Sequence, residues 1–75
     1  MKIYRYRSPI GRFLAIPQSN GLWGLWFEDD LLGSYHSAMA AADDVYMRAT
    51  GDSDWDYLEG VDIPTDICEW EVLAQ

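Results

Sequence analysis

The sequence predicts an α+β fold: an antiparallel meander of three or four strands packed by one helix, with an acidic C-terminal tail over the sheet edge. Three observations point there. Up to residue 36, short apolar stretches alternate with proline, glycine and asparagine turn signals. From residue 38 an alanine-rich run continues without a breaker, and after residue 51 no clean period survives. The 75 residues therefore read as one domain, with the sheet in 1–36, the helix in 37–50 and, in 51–75, an acidic tail that adds a short helix or an edge strand. That length is near the lower end for a single core. Four Trp, five Tyr and two Phe supply it, each aromatic burying roughly 150–250 Å².

Residues 2–7 alternate apolar and basic side chains, the pattern of a half-buried strand. Ile3, Arg5 and Arg7 share one face, and Tyr4 and Tyr6 the other, which is the expected inner face. Ser8-Pro9-Ile10-Gly11 is a turn, and a second strand runs from Arg12 through Ile16 to Pro17. Asn20-Gly21 marks a hairpin loop, because both residues tolerate positive φ. The third strand, residues 22–27, is apolar almost throughout; Gly24 between two tryptophans signals a bulge or a close backbone approach. Glu28-Asp29-Asp30 turns the chain into a fourth strand over 31–36. Ser37 is a good N-cap for a helix over 38–50, with Gly51 as its C′ residue. Ala38, Ala41, Ala42, Val45 and Ala49 form its narrow apolar stripe, and Asp44 and Arg48 are spaced as an i,i+4 pair. In the tail, Ile67, Trp70 and Leu73 fit a short helical stripe, and residues 70–73 fit an edge strand equally well.

Charge is segregated along the chain. Residues 1–27 carry Lys2, Arg5, Arg7 and Arg12 with no carboxylate, whereas residues 28–75 carry all thirteen carboxylates and only Arg48. The net charge is −8. Such a balance argues against direct binding to DNA, RNA or an anionic membrane, all of which select Lys and Arg. It favours attraction to basic protein surfaces. One cysteine, Cys68, excludes an internal disulfide and is typical of a reducing compartment. The first residues lack a signal-peptide apolar run, so a cytoplasmic protein is expected.

No catalytic, cofactor-binding or metal site is expected. Asp52, Asp54 and Asp56 begin like a calcium loop, but Tyr57 and Ile63 stand where that loop needs glycine and a bidentate glutamate. A solvated acidic loop with Trp55 and Tyr57 turned into the core is the better reading. One Cys and one His, Cys68 and His36, cannot fill a structural zinc site. Asp66, Glu69 and Glu71 around Cys68 disfavour its thiolate, which fits a half-buried structural residue. Tyr4, Tyr6, Trp23, Trp26 and Tyr35 fit core packing better than a base-stacking platform, because only the first strand is basic. One of these aromatics left exposed would anchor an interface.

Two resemblances accompany these readings. Residues 6–14 (YRSPIGRFL) with 21–28 (GLWGLWFE) resemble the opening strands of O6-alkylguanine-DNA alkyltransferases. The Pro-Cys-His-Arg motif of those enzymes is absent, since Cys68 lies in Ile67-Cys68-Glu69, and their activity is not implied. More of the chain resembles a group of small acidic bacterial and prophage-type proteins: an LGSY strand end (32–35), an AADDV helix (41–45) and a P-x-D-x-x-E-W tail (64–70) occur in the same order. That resemblance implies the fold rather than an activity.

The expectation is a non-enzymatic interaction protein. Asp43, Asp44, Asp52, Asp54, Asp56, Glu59 and Asp62 would form an acidic surface that occupies a basic, nucleic-acid-binding groove of a partner, in the manner of anti-CRISPR nucleic-acid mimics. The alternative is a small accessory domain that pairs with itself, as a homo-dimer, or with another protein, its acidity serving solubility.

Overall fold

The computed structural model describes residues 2–74. Strands β1 (Ile3–Ser8), β2 (Gly11–Pro17), β3 (Trp23–Phe27) and β4 (Asp30–Tyr35) form the expected meander. Helix α1 (Ala38–Met47), a four-residue helix α2 (Ser53–Asp56) and a 3-10 turn (Ile67–Glu69) follow. A fifth strand, β5 (Glu71–Ala74), pairs antiparallel with β1. The sheet order is β4-β3-β2-β1-β5. The tail thus resolves as a 3-10 turn followed by the edge strand, not as a helical stripe through Leu73.

Turn chemistry sets the register. Ser8 and Gly11 pair across Pro9-Ile10, and the Ser8 hydroxyl accepts the Gly11 amide at 3.1 Å. Between β2 and β3 the Gly21 amide donates to the Gln18 carbonyl, with Gly21 at φ 83°. The β3–β4 turn is tighter than expected. Phe27 pairs with Asp30, so only Glu28 and Asp29 turn the chain, and Glu28 adopts φ 53°. Asp30 consequently belongs to β4, which stops at Tyr35 rather than His36.

One face of the sheet carries the core. Tyr4 and Tyr6 do point inward, as the alternation implies, to join Phe13, Ala15, Leu25 and Phe27. Above them lie the α1 stripe Ala38, Ala41, Ala42 and Val45, all buried. Alanines keep that helix close to the strands. Ser37 caps it, its hydroxyl accepting the Ala40 amide at 3.0 Å.

The helix stops three residues short of the expected end. Arg48 takes the left-handed conformation (φ 56°), and the Arg48 and Ala49 amides close on the Asp44 carbonyl. Ala49 is therefore exposed, not on the stripe, and Thr50 turns inward to 5 % exposure. The Asp56 carboxylate collects the amides that would have extended the helix. One oxygen accepts the Thr50 amide (3.1 Å) and hydroxyl (2.9 Å), and the other accepts the Gly51 amide (2.9 Å).

Asp52 caps α2 by accepting the Trp55 amide, and α2 exists to deliver Trp55. That indole is 1 % exposed, packs edge-on against Phe13 (centroids 4.9 Å, 68°) and donates to the Val45 carbonyl at 3.0 Å. Tyr57, expected to share the core, is 84 % exposed; Leu58 packs against the core in its place. Asp66 then caps the 3-10 turn, Glu69 accepts the Thr65 amide and hydroxyl, and Trp70 is buried against Tyr6. Cys68 is exposed, not half-buried.

Candidate interaction surface

The sheet converts charge segregation along the chain into segregation between two sides. Odd-numbered β1 residues and the even-numbered residues of β2 and β3 occupy the outer face, away from α1 and the tail. Pairing aligns Arg5 with Leu14 and Leu14 with Trp26, and sets Arg7 opposite Arg12. The segment that covers the inner face, residues 38–70, contains nine carboxylates and one cation, Arg48.

The outer cations are not a free basic patch. Arg5 grips Glu71 with two parallel contacts of 3.1 Å, and Arg7 reaches the same carboxylate at 3.6 Å. Arg12 meets Glu28 at 3.4 Å, and Glu28 also accepts the Arg12 backbone amide. Both carboxyls are consequently held below the usual glutamate range. For Glu28 the Arg12 amide is the main cause; for Glu71 it is the hydrogen bond from Arg5. Three of the four cations of the basic block, Arg5, Arg7 and Arg12, thus share the carboxylates of Glu28 and Glu71.

The seven predicted acidic residues divide by use. Asp44 is half-buried and accepts the Tyr35 hydroxyl at 2.7 Å, tying β4 to α1. This removes it from the i,i+4 pairing expected with Arg48: among the described residues Arg48 has no ion pair, and its Nε is buried without a partner. Burial, and then the Asp44 hydrogen bond and charge, push the Tyr35 hydroxyl well above the ordinary tyrosine range. Asp52 and Asp56 serve the cap and amide cradle around α2. Asp43, Asp54, Glu59 and Asp62 are the four left exposed. Only these four are free to meet a partner without dismantling an internal contact.

No group of His, Cys, Asp or Glu among the described residues is arranged to hold a metal ion. The Asp52–Asp56 run is bent around the Thr50–Gly51 amides instead of lining a loop. The Cys68 thiol is raised, first by the Asp66 charge and then by desolvation, Asp66 hydrogen bonding and Glu69, in the direction expected from its neighbours. Among the described residues no helix is long and apolar enough to cross a membrane. A groove of about 540 Å³ lies between the end of α1 and the 61–65 segment, lined by Tyr46, Met47, Arg48, Val61, Asp62, Ile63 and Thr65.

The aromatic set also divides. Tyr4, Tyr6, Trp23 and Tyr35 pack with the core, whereas Trp26 lies on the outer face over Gly24. A Cβ at Gly24 would stand 2.9 Å from the Gln18 Nε2, 3.1 Å from the Trp26 Nε1 and 3.2 Å from a Leu31 methyl, so the close approach expected at this glycine is made by these three side chains together. A register shift sits next to it, between Leu25 and Trp26. With Leu14, Ile16 and Leu31, Trp26 gives an apolar outer surface that the sequence reading did not assign. Its signal was the unbroken apolar runs in β2 and β3, which read as strands covered on both faces.

Comparison with protein-family models, curated proteins and solved structures returned no match.

Proposed function

We propose that the protein is a non-enzymatic, cytoplasmic interaction protein whose acidic helix-and-tail side occupies a basic, nucleic-acid-binding groove on a partner. The observation that supports this reading is the two-sided charge arrangement. Nine carboxylates accompany one guanidinium in the segment over the inner face, while the outer cations are matched by Glu28 and Glu71. Carboxylates there would stand in for phosphates, the mode used by anti-CRISPR mimics. Asp43, Asp54, Glu59 and Asp62 carry the contact, and Asp44, Asp52 and Asp56 hold the scaffold that presents them.

Immobilised protein exposed to lysates of CRISPR-bearing bacteria should retain a nucleic-acid-binding protein that moderate salt releases, because exposed charge pairs are screened within about 8–10 Å at such ionic strengths. The fourfold variant Asp43→Asn, Asp54→Asn, Glu59→Gln, Asp62→Asn should fold normally and lose that capture. Equal capture by the variant, or retention indifferent to salt, would overturn the reading.

A further inference from the structure

We propose that the outer face of the sheet is the contact between two copies of this chain, stacked sheet against sheet. The helix and the tail cover only the inner face, and leave Leu14, Ile16, Trp26 and Leu31 on the other. Leu31 is 48 % exposed on the edge strand β4. An antiparallel sheet normally presents polar side chains on its solvent face; this one sets Trp26, Leu14, Ile16 and Leu31 alongside the Arg5, Arg7 and Arg12 side chains and the Gln18–Ser34 hydrogen bond.

Two arguments name a second copy as the occupant. The first is charge. Each copy carries −8, and two copies can approach only where that charge is least. The outer face is that place, with Arg5, Arg7 and Arg12 set against Glu28 and Glu71. Stacking there sends both acidic sides outward, away from each other. A twofold axis midway between the sheets, about 15° off the direction of the central strand β2, lays β1 over the partner's β3. That places Arg7 toward the β3–β4 turn of the other copy, where Glu28 lies, so like charges do not face each other.

The second argument is area. Five strands about 4.8 Å apart and about six residues long present a face of about 500 Å². Two such faces bury about 1,000 Å² together, the lower limit for a specific interface and the range of reversible dimers. Aligned sheet packing, with the strand directions about 30° apart, is the geometry such faces adopt.

This inference does not rest on the proposed partner groove, and salt separates the two. Screening weakens binding through the acidic side but relieves repulsion between two copies of charge −8, so self-association should tighten as salt is added. Sedimentation equilibrium between about 10 µM and about 1 mM, a span of some 3 kcal/mol in association energy, should show the mass rising from 8.6 kDa toward the dimer. Leu31→Lys, an exposed-edge substitution that leaves the core untouched, should weaken association at least tenfold, and Trp26→Ser should do the same. Met47→Lys, on the exposed side of α1, should not. A chain that stays monomeric throughout at high salt would overturn the proposal. So would association unaffected by Leu31→Lys, or association lost with Met47→Lys. Capture of a different protein through this face by a chain that never dimerises would overturn the second copy as its occupant.

Discussion

Trp55 offers the most direct test of how the acidic tail is held. Trp55→Ala removes the largest fully buried side chain, which packs edge-on against Phe13 and Tyr6 and donates to the last turn of α1. Truncating a buried tryptophan costs about 3–5 kcal/mol. The lost indole hydrogen bond is part of that cost, at about 1 kcal/mol. A domain of this length has about 4–11 kcal/mol in total. The variant should therefore be largely unfolded or close to it at 25 °C, and Trp55→Phe, which keeps a ring but no donor, should lose about 1–3 kcal/mol. Urea unfolding followed by far-ultraviolet circular dichroism measures both. Trp70→Phe is the internal comparison: that indole is also buried, but its Nε1 has no partner among the described residues, so removing the N–H relieves a desolvated donor. Trp70→Phe should cost less than Trp55→Phe. A Trp55→Ala protein within about 1 kcal/mol of the parent would show that the helix-capping and packing argument is mistaken, since even the low end of the truncation range exceeds that. A reversed order of the two Phe variants would do the same.

Three further outcomes are expected. Tyr35 keeps its proton in the fold to a higher pH than in the unfolded chain, so deprotonation favours unfolding once pH rises above about 10. Urea midpoints should fall between pH 9 and pH 11, and Tyr35→Phe should flatten that fall while costing about 1–2 kcal/mol at pH 7; an unchanged slope would refute the Tyr35–Asp44 account. Gly11 sits at φ +154° with a would-be Cβ 2.7 Å from the Phe27 ring, so Gly11→Ala should lose about 1–3 kcal/mol and lower Tm accordingly. Thermal melts that coincide with the parent would contradict the close contact. Cys68 should react with a disulfide reagent at pH 8 more slowly than a cysteine in an unstructured peptide, and Asp66→Asn should speed it; equal rates before and after the substitution would remove Asp66 as the cause.

Much of the scaffold could be read from residue order because local chemistry and tertiary packing agree there. Alternation in residues 2–7 named the inner tyrosines, Ser37 named the helix start, and Asn20-Gly21 placed a loop. The helix end is not legible in the sequence because Asp56, five residues beyond Gly51, binds the Thr50 and Gly51 amides, and no local pattern announces a partner from the next turn. Asp44 illustrates the same limit at the candidate surface. Its i,i+4 spacing to Arg48 is visible in sequence, but the hydroxyl that takes it comes from β4. Two-residue spacing puts Tyr57 on the side of Trp55 only in an extended segment; α2 is helical through Asp56, which turns Tyr57 out to solvent. Carboxylate counting identified the acidic segment but could not separate Asp43, Asp54, Glu59 and Asp62 from those already bound.

The pairing of β5 with β1 carries a consequence for synthesis. Glu71 reaches Arg5 across 66 positions of chain, and Ala74 stands opposite Ile3. During translation the four-stranded meander can assemble from neighbours as they emerge, since each of its strands pairs with the one just made. The last strand cannot. Until residue 74 has cleared the ribosome, the β1 edge, with its tyrosines and arginines, stays open to whatever strand is nearby. Contacts so distant in sequence close late. A nascent chain stalled just before that point would hold a nearly finished sheet with one adhesive border, and that is the stage at which a chaperone, or another copy on the same message, would find it.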